Sequence, residues 1–200
     1  MGRPSNTEER RAQIVDGLLA VMAREGFERA TITLVAKEAG LSPGLVHYHF
    51  ENKHEILLAL VQRLLAQLEA RVEARLAAAG DDPRARLHAF VDAHLGLGDD
   101  ADPRAVAAWV VIGAESVRER AVRALYSARI EAALEQLRAL VAACLRAEGR
   151  GARNARPLAA AILSAIEGAY LVSAGAPGVL PEGYAAPTLR RMIDGLLAAE

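Results

Sequence analysis

The chain has 200 residues, which is enough for one or two small domains with a substantial hydrophobic core. Hydrophobic residues make up 52% of the chain and aromatic residues only 4%, and its abundance of Ala, Leu and Arg favours helices throughout. The formal net charge of −1 excludes a generally basic nucleic-acid-binding protein, and the single cysteine, Cys144, excludes an internal disulfide. With no signal peptide evident, we expect a protein of the reducing cytoplasm.

The first predicted helix follows a short arm, residues 1–5. Ser5 and Glu8 have the spacing of a capping box, which predicts a helix start. We expect the helix to run to about Arg24 and to end at Gly26. Its buried face is predicted to contain Ile14, Leu18, Val21 and Met22.

The next stretch, residues 31–53, predicts two short helices joined by a tight turn. Thr31 or Thr33 caps the first helix, and Gly40 ends it in a left-handed conformation. Ser42 caps the second helix, and Pro43 occupies its first position, where a missing N–H is harmless. Two helices joined by a turn of three or four residues that contains glycine form a helix-turn-helix.

The second of these helices has two different faces. Val46 and Phe50 lie four residues apart and form the buried face. The opposite face carries Gly44, His47 and Tyr48. A recognition helix needs a bare start and must present hydrogen-bonding or flat side chains to base edges, which this face does. Lys53 follows, at a position suited to a phosphate oxygen.

The same stretch contains three fixed patterns: Thr31-x-Thr33, Ala36-x-x-Ala39-Gly40-Leu41-Ser42, and Gly44-x-x-x-Tyr48-x-Phe50-x-x-Lys53. Together they resemble the DNA-binding signature of the TetR family of bacterial regulators. With the preceding helix, the resemblance covers about residues 8–60, roughly a quarter of the chain. Residues 42–50 are also similar to the BetI-like branch of that family, which includes a choline-responsive repressor.

The resemblance implies an all-α fold with a three-helix helix-turn-helix domain, residues 1–54, and a C-terminal helical bundle, residues 55–200. The bundle would bind a ligand and dimerise. The protein would be a homodimeric repressor that binds double-stranded operator DNA and is released by a small-molecule effector. His47 would face bases and His49 a backbone phosphate. The predicted DNA-binding residues are Thr33, Ser42, Pro43, Gly44, His47, Tyr48, His49 and Lys53.

The charge of the N-terminal region motivates an alternative. Residues 1–55 contain seven Lys or Arg and eight Asp or Glu, so their formal charge is 7 − 8 = −1. The alternative is a helical ligand-binding or scaffolding dimer that no longer binds DNA specifically. DNA binding would instead require basic residues to gather on one surface, and the candidates are Arg3, Arg10, Arg11 and Lys53.

The rest of the chain predicts further helices and no strand pattern. A long helix begins at Asn52 and ends before Pro83, with apolar residues at three- and four-residue spacing. Asp102 caps a later helix, and a break is expected near residues 115–119. The other predicted helices cover residues 83–96, from the break to Ala147, 156–174 and 187–199.

Residues 156–174 are apolar around almost the whole helix circumference. Such a helix must be covered on all sides, so we expect it to pack inside its own subunit on one side and against a twin on the other. The last helix would complete a four-helix interface. Glu167 and two serines interrupt this segment, so an interface helix is favoured over a membrane span, and no membrane partner is expected.

Four residues are candidates for the effector site: His94, Trp109, Tyr126 and Glu167. The first three are flat side chains with a polar edge at inward helix positions, which suits an apolar pocket with a few orienting contacts. The expected ligand is mostly hydrophobic or aromatic, with a cation as the second option. In the alternative all four are ordinary core residues, with Glu167 paired to an arginine and His94 bonded to a backbone carbonyl.

No cofactor, metal or enzymatic activity is predicted. His47 and His49 are two residues apart on a helix and point to opposite sides, so they cannot share an ion with each other. Asp99, Asp100 and Asp102 lack the glycine turn and distal Glu of a calcium loop. The sequence shows no phosphate-binding loop, nucleophile elbow or acid pair, and Cys144 is interpreted as a core thiol.

Overall fold

A computed structural model describes residues 6–96 and 102–199 of the chain. Within these ranges every regular element is helical, as the composition predicts. The α-helices are α1 (Asn6–Glu25), α2 (Ile32–Glu38), α3 (Pro43–His49), α4 (Lys53–Ala78), α5 (Pro83–Leu95), α6 (Pro103–Ser116), α7 (Arg120–Ala147), α8 (Ala155–Gly175) and α9 (Ala185–Ala199), and one 3-10 turn covers Ala152–Asn154. The predicted arm, the capping box at Ser5, and Arg3, Asp99 and Asp100 lie outside the described residues.

Helix α1 follows its prediction closely. The four residues assigned to its buried face are at most 1% exposed, and Gly26 ends the helix with φ +78°. Gly17 has a separate role, because a Cβ atom there would lie 2.8 Å from the carbonyl oxygen of Val35. Glycine therefore lets the backbone of α2 approach α1 closely.

The helix-turn-helix is built from local contacts that were predicted. Of the two threonines proposed as caps, Thr31 performs the role, since its hydroxyl accepts a hydrogen bond from the Leu34 N–H at 3.2 Å. Gly40 has φ +67°, and the Leu41 N–H donates to the Ala36 carbonyl, which closes the end of α2. The Ser42 hydroxyl accepts from the Leu45 N–H at 3.2 Å and caps α3.

Two later boundaries show how caps and prolines set helix ends. Asn52 caps α4, because its side-chain oxygen accepts from the N–H groups of His54 and Glu55, both at 3.0 Å. Helix α9 begins at Ala185, two residues before its predicted start at Pro187. A proline in the first turn of a helix costs little, since the N–H groups of that turn have no partner within the helix. Pro187 can therefore lie in the first turn of α9 and need not be its first residue.

One compact unit consists of the described residues up to Leu65 together with Asp102–Tyr126. It contains α1, α2, α3, the first half of α4, α6 and the start of α7, and α6 packs directly on α1. The predicted boundary after residue 54 concerns function and stays a prediction. In the packing of this unit, the helix-turn-helix shares a core with α6, which lies far along the chain.

The second unit consists of the described parts of Ala66–Ala101 and Ser127–Glu200. Here α5 packs against α8 and α9, and α8 against α9. Ion pairs link α5 to α9 and to the residue that follows α7. The Arg84 guanidinium contacts Asp194 at 2.9 Å and Glu148 at 2.5 Å, and Asp194 also accepts from His88 at 3.0 Å.

Helix α8 buries one side, on which lie Ala155, Ala159, Ile162, Leu163, Ile166 and Tyr170. This confirms that α8 packs inside its own subunit. Leu171 on α8 is 58% exposed and Met192 on α9 is 55% exposed, so the predicted contact with a twin has apolar surface available. Among the described residues, the stretch Ala152–Gly175 also has the length and apolar composition of a membrane span. A dimer-interface helix shares that composition.

Candidate DNA-binding surface and effector site

Helix α3 presents its predicted recognition face to solvent. Val46 and Phe50 are buried, whereas Gly44 and His47 are exposed and Tyr48 is 79% exposed. The Tyr48 and His49 rings meet edge to face with centroids 5.0 Å apart. Residues 44, 47 and 48 fall on one helix face by their spacing. The exposed face therefore begins with a glycine, which has no side chain, and continues with an imidazole and a phenol.

The caps and turn around this face are also exposed. Thr33 on α2 and Ser42 and Pro43 at the start of α3 all lie at the surface, and their contacts with DNA stay a prediction. An open depression of about 590 Å³ adjoins the other end of α3, and its lining includes His47, His49 and His54. In the part of the chain that the structure describes, no three His, Cys, Asp or Glu side chains are arranged to hold a metal ion.

Lys53 has a structural contact that the sequence did not reveal. Its ammonium donates to the carbonyls of Phe27 at 3.0 Å and Glu28 at 3.2 Å, and it lies 4.5 Å from the centre of the Phe27 ring. Lys53 thus fastens the turn after α1 to the start of α4. The ammonium carries three N–H groups, and its predicted phosphate contact stays a prediction.

Arg11 also makes contacts within the protein. The sequence suggested it only as part of a basic surface. In the structure its guanidinium donates to the His49 carbonyl, lies 4.0 Å above the Phe50 ring and is 3.8 Å from the Glu55 carboxylate. No local pattern could have indicated this, because Arg11 and His49 are 38 residues apart.

In the second unit, His94 is 7% exposed and lies in a polar cluster. Its Nδ1 is 3.0 Å from the Phe90 carbonyl, its ring stacks on Phe90 at 4.4 Å, and its own carbonyl accepts from the Tyr170 hydroxyl at 3.0 Å. Burial lowers the pKa of His94 to about 4; the bond to Phe90 opposes this shift, while the charges of Arg129 and Arg71 add to it. His94 is therefore neutral at pH 7.

Glu167 lies in the same unit and pairs with Arg129. The two side chains are 2.7 Å apart, and the Arg129 side chain is only 4% exposed. Both contacts of the ordinary-core alternative, for His94 and for Glu167, are thus present. Arg129 was missed in the sequence, although a signal existed: it lies seven residues after Val122 and eight before Leu137, on the apolar stripe of α7.

The other two effector candidates belong to the first unit. Trp109 is 5% exposed on α6, and Tyr126 is half-buried near the start of α7. Gly113 on α6 adjoins the Tyr126 ring, since a methyl group there would lie 3.5 Å from the Tyr126 hydroxyl, an ordinary contact distance. Since His94 and Glu167 are in the second unit, the grouping of all four residues in one pocket stays a prediction.

Family models match both parts of the chain. Residues 14–60 match the model described as bacterial regulatory proteins, tetR family, and residues 83–198 match the C-terminal model of BetI-type transcriptional repressors. The chain belongs to the TetR family of bacterial transcriptional regulators, and its C-terminal part is of the BetI type.

Individual relatives agree with the family models. The chain is 32% identical to the HTH-type transcriptional regulator BetI of Rhizobium meliloti, over 93% of the chain and 92% of that protein. It superposes on a crystal structure of a Rhodococcus transcriptional regulator with a TM-score of 0.81 and 25% identity, covering 94% and 96% of the two chains. A Saccharomonospora viridis regulator crystallised with choline gives a TM-score of 0.80 at 23% identity, covering 96% of each chain.

Proposed function

We propose that this regulator is a cytoplasmic repressor that binds a double-stranded DNA operator as a homodimer and leaves it when a small effector binds. The effector would favour a dimer conformation whose recognition helices are wrongly spaced for DNA, since a ligand shifts an equilibrium only by its different affinity for the two states. No catalytic step is part of this proposal.

The observation that carries the proposal is the capped, solvent-facing helix α3. His47 and Tyr48 are exposed on this helix, while Val46 and Phe50 are buried in the core and hold it in place. We assign base contacts to Gly44, His47 and Tyr48. Contacts with the DNA backbone are assigned to Thr33, Ser42, Pro43, His49 and Lys53.

The test begins with a pool of randomised duplexes, from which the wild-type protein selects a preferred sequence. Tyr48→Ala should then weaken binding to the selected duplex more than binding to a random duplex, because a base-edge contact carries sequence information and a phosphate contact does not. If wild type binds neither pool nor random duplex at low salt, DNA binding is refuted and the scaffolding alternative is favoured.

The exposed apolar side of α8 and α9 supports the dimer. Leu171 and Met192 are each more than half exposed, and Leu196 is 42% exposed. Apolar side chains exposed together on a protein surface usually mark an interface. A two-fold dimer built from these two helices would cover the patch and would set the spacing of the two recognition helices.

We propose that His94, Trp109, Tyr126 and Glu167 contribute to effector binding. The expected ligand is mostly hydrophobic or aromatic, with a cation as the second option. The BetI-type match and the choline complex of the Saccharomonospora viridis regulator support that second option, so choline is the first compound to test. Trp109 is the only tryptophan, so its fluorescence reports binding directly. Choline that releases DNA without changing Trp109 emission would place the effector site elsewhere.

A further inference from the structure

Helix α3 is too short to hold its own shape. It has seven residues, about two turns, and isolated helices of that length are unstable in water. Its last backbone bond runs from the Phe50 N–H to the Val46 carbonyl at 2.9 Å. Phe50 is extended, with φ −143° and ψ 133°, so α3 ends without the left-handed cap that closes α2. The last carbonyls of α3 therefore need donors from outside the helix, either side chains or water.

Arg11 supplies such a donor from α1. Its Nη1 donates to the His49 carbonyl at 2.5 Å, and its guanidinium covers the Phe50 ring at 4.0 Å. A cation at the carboxyl end of a helix is also favoured by the helix dipole. Arg11 therefore contacts both the last residue of α3 and the residue that follows it.

Helix α4 completes the arrangement. The Arg11 Nη2 is 3.8 Å from Glu55 Oε1, while Glu55 Oε2 accepts from the Glu51 N–H at 2.8 Å. Glu55 thereby holds the segment after α3 and orients the guanidinium at the same time. One arginine on α1 and one carboxylate on α4 fix the carboxyl end of α3 from two sides.

We propose that Arg11 is a positioning residue for DNA recognition, which holds the carboxyl end of the recognition helix so that His47 and Tyr48 reach base edges in a defined orientation. This inference rests on the proposed function. Without the contact, α3 would fray from His49 backwards, and sequence discrimination would fall. Binding to phosphates, which needs charge more than orientation, would change little.

The first experiment compares Arg11→Met with Arg10→Met. The two variants lose the same charge from adjacent positions, but among the described residues Arg10 bonds only to Gln13, on its own helix, at 2.8 Å. For Arg11→Met we expect affinity for the selected duplex to fall about tenfold or more, as for loss of a hydrogen bond from a charged donor. Random-duplex affinity should change only as much as in Arg10→Met.

Salt dependence separates this role from direct phosphate binding. If Arg11 contacts a phosphate, Arg11→Met lowers the salt slope by about 0.9 per contact and weakens both duplexes equally, which would overturn the proposal. Arg11→Lys sharpens the distinction. Lysine keeps the charge for a phosphate but lacks the planar guanidinium that covers the Phe50 ring while it donates to the His49 carbonyl. We therefore expect Arg11→Lys to lose discrimination while it retains the salt slope.

A measurement without DNA tests the contact itself. Amide hydrogen exchange over residues 46–50 should be faster in Arg11→Met than in wild type or Arg10→Met, while exchange in the core of α1 is unchanged. Equal exchange in all three proteins would refute the positioning role. If wild type selects no duplex, the proposed function fails, and the exchange experiment still decides whether Arg11 holds α3.

Discussion

Lowering the pH should destabilise this protein through His94. The imidazole is buried against Phe90, and its Nδ1 must donate to the Phe90 carbonyl because a carbonyl can only accept. Burial, with added repulsion from Arg129 and Arg71, sets the folded pKa of His94 at about 4, against 6.5 for an unperturbed imidazole. The folded state therefore resists a proton that the unfolded chain accepts readily.

The magnitude follows from proton linkage. Between pH 6.5 and about 4 the unfolded chain binds more protons at His94 than the folded protein does, so the free energy of unfolding falls as the pH falls through this window. Each tenfold difference in proton affinity is worth about 1.4 kcal/mol, so the full effect is about 3 kcal/mol. Between pH 7 and pH 5 it amounts to about 2 kcal/mol.

The assay is urea unfolding followed by circular dichroism, at pH 7, 6 and 5 and at one protein concentration. His94→Gln provides the reference, because glutamine can donate to the Phe90 carbonyl but does not titrate. Carboxylates affect both proteins alike, so the difference between their unfolding free energies isolates His94. Wild type should lose about 2 kcal/mol relative to His94→Gln on going from pH 7 to pH 5. Parallel pH profiles would refute the assignment of a depressed pKa.

Four further predictions concern the cap, the phosphate contact, the dimer and the cysteine. Ser42→Ala should lower the free energy of unfolding by about 1 kcal/mol and Ser42→Gly by much less, as measured in urea; equal losses would contradict a side-chain cap. Lys53→Ala should weaken binding to the selected and random duplexes alike and lower the salt slope by about one per subunit. An unchanged slope would mean that Lys53 makes no phosphate contact and only its contacts to residues 27 and 28. Ala165→Glu should give monomers or aggregate in sedimentation experiments, whereas a wild-type monomer at micromolar concentration would refute the interface. Cys144 is buried and its pKa is raised by burial, so a thiol reagent should label it only on unfolding, and rapid labelling of folded protein would contradict a core thiol.

Local chemistry made much of the fold predictable. Helix starts follow from side chains such as Ser42 and Asn52 that bond to N–H groups two or three residues away. Helix ends follow from Gly26 and Gly40, whose positive φ angles few other residues tolerate. The buried faces follow from apolar spacing. All of these causes act within a few residues, so the sequence displays them directly.

The partners of charged side chains were harder to predict. The sequence suggested Arg11 and Lys53 for a DNA-facing basic surface, yet their contacts in the structure lie 38 and 26 residues away. Glu167 was expected to pair with some arginine, and its partner Arg129 is also 38 residues distant. Such pairs depend on how the helices pack. They do not follow from spacing along one helix, so a net charge of −1 in residues 1–55 says little about the surface that faces DNA.

The first compact unit is discontinuous in sequence, since α6 comes from residues that follow α5 and yet packs on α1. This matters for engineering hybrid regulators, in which the DNA-reading segment of one protein is joined to the sensor of another. A joint within α4 would retain α1 but replace α6, which buries Ala108 and Ile112 completely. Working hybrids should therefore need matched residues on the donor's α1 and the recipient's α6. If the helix-turn-helix is exchanged without matching α6 to it, we expect the hybrid to fold poorly, so it would not gain a new DNA specificity.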